Sequence, residues 1–72
     1  MNKEIEKLEI LIQHWQCHNE EHAKEYRQWA EKLKGLEFNK VKEELSKAFS
    51  IYTELNEHLK KAYEALKEIR KE

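Results

Sequence analysis

Apolar residues in the first half of the chain fall at Ile5, Leu8, Ile12 and Trp15, then at Tyr26, Trp29, Leu33 and Leu36, separated by steps of three and four. That rhythm keeps one stripe of a helix apolar and does not fit the two-residue alternation of a strand. Two beats of the series are polar, Asn19 and His22. The second half runs uninterrupted through Phe38, Val41, Leu45, Ala48, Tyr52, Leu55, Leu59, Ala62, Leu66 and Ile69. Between the halves stands the only glycine, Gly35, followed by Asn39. Glycine adopts the left-handed conformation that ends helices, and an asparagine side chain caps a helix start. The pattern predicts one all-α domain over residues 1–72, with helix 1 at about 3–34, a turn at 35–37 and helix 2 at about 38–70.

A connection this short makes the helices antiparallel neighbours. Pairing seam positions whose numbers sum to 74 sets Trp29 against Leu45, Tyr26 against Ala48, Trp15 against Leu59 and Ile12 against Ala62. Large side chains then face small ones, as a packed core requires. Asn19 falls opposite Leu55 in this register, where a polar group fixes alignment at a cost in stability, so Asn19→Leu is expected to stabilise. Leu11, Phe49, Ile51, Tyr63 and Ala65 flank the seam. Helices with such flanks pack against two neighbours, and the expectation is an antiparallel hairpin that dimerises into a four-helix bundle.

Composition supports this reading. With 72 residues, 40% charged, one glycine and no proline, the chain has little material for turns and too short a length for a large core of its own. Fourteen basic residues balance fifteen acidic ones without a basic stripe, so no nucleic-acid partner is expected. The longest apolar run, Ile10 to Ile12, is far short of a membrane span, and a soluble cytoplasmic protein is expected. The single cysteine, Cys17, makes no internal disulfide.

Candidate chemistry lies in residues 14–23, HWQCHNEEHA, which hold three of the four histidines. His14, His18 and His22 stand one helical turn apart, so neighbours have chelating spacing. In the 74 register His58 lies beside His18 and Glu54 near His22, with Glu21 and Glu25 close by. The expected metal ligands are therefore His14, His18, His22, His58, Glu54 and Glu21. Imidazole and carboxylate together suit a divalent transition metal such as nickel, zinc or copper, and Cys17 points outward. The bland alternative makes these histidines surface and seam residues, with His22 bonded to Tyr52.

The run HWQCHNEEHAKEYRQWA, through His14, Trp15, His18, Asn19, His22, Tyr26 and Trp29, resembles a His-rich helical segment of small uncharacterised prokaryotic domains. That resemblance covers about residues 11–30 and implies a link to the handling of a transition metal such as nickel. The expected function is a non-enzymatic metal carrier, store or sensor, working as a homodimer with a possible metal-handling partner. The alternative is a self-association or interaction module without metal. His18 to His22 also matches the zinc-hydrolase pattern H-x-x-E-H, but a hairpin offers no cleft to desolvate a substrate.

Overall fold

The computed structural model describes the backbone of residues 2–71 and the side chains of residues 3–69. Two helices, α1 (Asn2–Lys32) and α2 (Asn39–Lys71), pack against each other in a rod of 55 × 14 × 12 Å. At about 1.5 Å per residue, each helix runs nearly the length of that rod.

α1 closes in a tight turn. Leu33 N–H donates to the Trp29 carbonyl, Lys34 N–H to that of Glu31 and Leu36 N–H to that of Leu33, each at 3.1 Å. Gly35 sits at φ 85°, the left-handed conformation expected of it. A Cβ there would meet nothing within 4 Å, so the glycine is required for its dihedral and not for room. α2 begins differently from expectation. The Phe38 carbonyl accepts the first helical N–H, from Lys42 at 3.0 Å, so Phe38 holds the cap position and Asn39 is already helical.

The register holds to within a residue. Asn19 bonds Asn56, His22 stacks on Tyr52 and Gln13 bonds Tyr63, pairs whose numbers sum to 75, 74 and 76. The stripe that faces inward, however, is rotated from the expected one. On α1 it runs through Ile5, Glu9, Ile12, Gln16, Asn19, Ala23, Tyr26, Ala30 and Leu33, and on α2 through Lys42, Leu45, Phe49, Tyr52, Asn56, Leu59, Tyr63 and Leu66. Every second position of the expected seam has moved one residue on. Trp15 and Trp29, expected in the core, are 42% and 55% exposed, while Ala23 is 8% exposed. Phe49 and Tyr63, expected as flanks, belong to the seam.

Side-chain volume explains the rotation. Helix axes that pack about 8–10 Å apart accommodate an alanine in the contact line far better than an indole. Ala23 lies with Phe49, Tyr52 and Asn56 around one shallow groove, so a small residue on α1 meets aromatic bulk from α2. Among the described residues only Ile12 and Ala23 are buried apolar residues, and neither is fully enclosed. The hairpin by itself is thinly cored.

Mid-length polarity is organised. Asn19 Nδ2 donates to Asn56 Oδ1 at 3.0 Å, and Asn56 Nδ2 donates to the Gln16 carbonyl at 3.0 Å, both partly buried. Asn19 thus faces a polar partner instead of Leu55, and the expected gain from Asn19→Leu is reversed. That substitution leaves Asn56 Oδ1 without its donor and is expected to destabilise by about 1 kcal/mol in urea unfolding. Replacing both asparagines by leucine is expected to recover that loss, and a stabilised single variant would contradict the paired arrangement.

Candidate histidine site

His14, His18 and His22 form a ladder along α1. Successive rings drift around the helix because four residues exceed one turn by about 40°. His14 is the outermost, 6.2 Å from the His18 ring centroid, and His18 is 4.5 Å from His22. The Nε2 atoms of His18 and His22 lie 2.9 Å apart, so one ring donates N–H to the other's lone pair. His22 is half-buried and ends the ladder at the seam, where it stacks on Tyr52 at 5.9 Å and on Tyr26 at 6.4 Å.

The remaining expected ligands are placed elsewhere. His58, Glu21 and Glu54 are exposed and make no hydrogen bond, ion pair or ring contact with the ladder. His58 and His18 share a height and a side of the hairpin, but each lies one step beyond the flank of the seam. Such positions diverge from one another across a single antiparallel pair. Cys17 is exposed, as expected. Among the described residues no three histidine, cysteine, aspartate or glutamate side chains converge as a metal-holding group.

Tyr52, Tyr26 and Asn56 are the residues around this site that the histidine spacing does not reveal. Tyr26 and Tyr52 lie 5.6 Å apart, and desolvation first, then Tyr52 and then Glu25, pushes the Tyr26 phenol above its ordinary value. A raised folded-state value for an acid means that its stability contribution is complete below the unfolded value, about 10, and is lost as pH rises through the folded one. Unfolding of wild type and Tyr26→Phe followed between pH 9 and about 11 is therefore expected to show wild type losing stability faster at the alkaline end. Parallel curves would mean that Tyr26 ionises freely.

Elsewhere the polar surface is ordinary. Lys40 reaches Glu44 at 2.9 Å and Lys47 reaches Glu43 at 3.4 Å, pairs exposed enough to add little to stability. Glu44 is held below the usual carboxylate range by its bond to Lys40 and then by Lys47. No helix among the described residues is long and apolar enough to cross a membrane.

Comparison with curated proteins finds no match, and neither does comparison with solved structures. Residues 8–66, most of the chain, match the family described as "Domain of unknown function (DUF8180)", and the chain belongs to that family.

Proposed function

We propose that this domain is a non-enzymatic self-association module, two hairpins of which pair into a four-helix bundle. The observation that carries the proposal is the rotated seam. It leaves Leu8, Trp15 and Trp29 of α1 and Val41, Leu55 and Ile69 of α2 at least 39% exposed. The first five precede a seam position by one residue and Ile69 continues their spacing of seven, and in an antiparallel pair such positions emerge on the same side. The opposite side carries Glu6, Glu20, Arg27, Lys34, Lys60 and Lys67. One flank is thus apolar apart from His22, and the other is polar, with most of its α1 positions charged.

The apolar flank runs along most of the 55 Å rod. The size pattern points to a second copy as the occupant. A two-fold axis parallel to the helices sets α1 of one copy over α2 of the other without changing heights. Trp15 then lies over the partner copy's Ala62 and Trp29 over its Ala48, pairs whose numbers sum to 77, near the hairpin's own register. Bulk meets alanine at both places, as close packing favours. An axis across the helices would instead stack alanine on alanine and leave gaps.

A second reading, a transition-metal carrier, store or sensor, is favoured by the close approach of His18 and His22. It is compatible with the bundle.

Sedimentation equilibrium at micromolar concentration tests the self-association. Wild type is expected to be dimeric, and Trp15→Glu, which places a charge on the apolar flank, to be monomeric and less stable. Glu20→Lys on the charged flank is expected to leave the dimer intact. A wild-type monomer, or dissociation caused equally by both variants, would refute the arrangement.

A further inference from the structure

The His18–His22 pair supplies two imidazoles, and among the described residues of the hairpin no third ligand converges on them. The proposed dimer, on which the following rests, does. His18 and His58 both stand one step beyond the apolar flank, at heights whose numbers sum to 76, within the 72 to 78 spanned by the contacts observed within the hairpin. Within one copy these positions diverge. With α1 laid over the partner copy's α2, the same two positions meet along the rim of the interface. We infer that His18 and His22 of one copy and His58 of the other form a three-imidazole site for a divalent transition metal, two such sites per dimer.

The pair is already close to chelating geometry. At a metal–nitrogen distance of about 2.0–2.1 Å, nitrogens 2.9 Å apart subtend about 90° at the metal. That is the cis angle of square-planar and octahedral coordination, which suits nickel(II) and copper(II) better than tetrahedral zinc(II). Binding replaces the N–H···N bond by two metal–nitrogen bonds, and the proton that bridged the rings stays on the imidazoles by moving to Nδ1. His22 is held from behind by its stack on Tyr52, so its ring is oriented before the metal arrives. His14, the outermost ring of the ladder, takes no part in the site.

The decisive experiment mixes two defective chains. His58→Ala lacks the third ligand, and the double variant His18→Ala with His22→Ala lacks the chelating pair. Each alone is expected to bind nickel(II) at least tenfold more weakly than wild type in calorimetric titration, while sedimentation and circular dichroism show both to be folded dimers. Unfolding and refolding them together makes heterodimers in which one site is complete and the other void. Wild-type affinity is then expected to return at one nickel per heterodimer. A site within one chain gives no restoration, because neither chain holds all three ligands, and that outcome overturns the inference. So does wild-type affinity in His58→Ala, or a wild-type dimer that binds nickel with a Kd no tighter than about 10 μM, a binding free energy near −7 kcal/mol. In those cases the dimer itself still stands. A monomeric wild type fails at the earlier step and removes the self-association along with the site.

Discussion

Steric volume in the contact line between two helices decides the rest of this structure. The sequence offers two candidate stripes on each helix, which share half of their residues, and the one that faces inward also carries Glu9, Gln16, Lys42 and Asn56. Ile5, Ile12, Asn19, Tyr26 and Leu33 on α1, with Leu45, Tyr52, Leu59 and Leu66 on α2, belong to both. The stripes differ only in what fills the alternate positions. On α1 one choice inserts Leu8, Trp15, His22 and Trp29 between the helices and the other Glu9, Gln16, Ala23 and Ala30, while on α2 the second choice puts Phe49 and Tyr63 in place of Ala48 and Ala62. Close packing selects the arrangement in which small residues of α1 meet aromatic side chains of α2, and the indoles are turned to the side. A thin intramolecular core and a long apolar flank are two consequences of the same selection.

The helices, their antiparallel order, the glycine that ends α1 and the register to within a residue were all legible in the sequence. Each depends on local chemistry or on the three-four rhythm, which survive without knowledge of volume. The seam was not legible from rhythm, because both stripes have the same period and composition alone ranks tryptophan above alanine as core. The pairing of Asn19 with Asn56 followed the seam. Asn56 stands next to Leu55 in the chain, and only the rotation brings it inward. At the histidines, spacing correctly indicated the contact of His18 with His22 and the nearness of His22 to Tyr52. His58 was expected beside His18 because both flank the seam on one side, but a side is not a meeting point when each residue lies beyond the flank.

The polar features sit where the apolar ones leave room. The Asn19–Asn56 bond occupies the seam at mid-length, and the histidine ladder leads from that level to the surface on the apolar side. Asparagines that must pair fix the register of the hairpin, since a slip of one residue would strand a partly buried amide. The register in turn sets the heights at which a second hairpin meets the first. Local packing, assembly and the proposed ligand set are in this way successive results of one alignment.

Intrinsic tryptophan fluorescence over a range of protein concentration tests this account most directly, because Trp15 and Trp29 are the only indoles and both lie on the proposed interface. The emission maximum is expected to be short-wavelength at high concentration and to move to the red on dilution, in step with dissociation measured by sedimentation. An emission maximum that stays at short wavelength in a protein shown to be monomeric would place the indoles inside the hairpin and contradict the rotated seam. A red maximum at every concentration would contradict the covered flank.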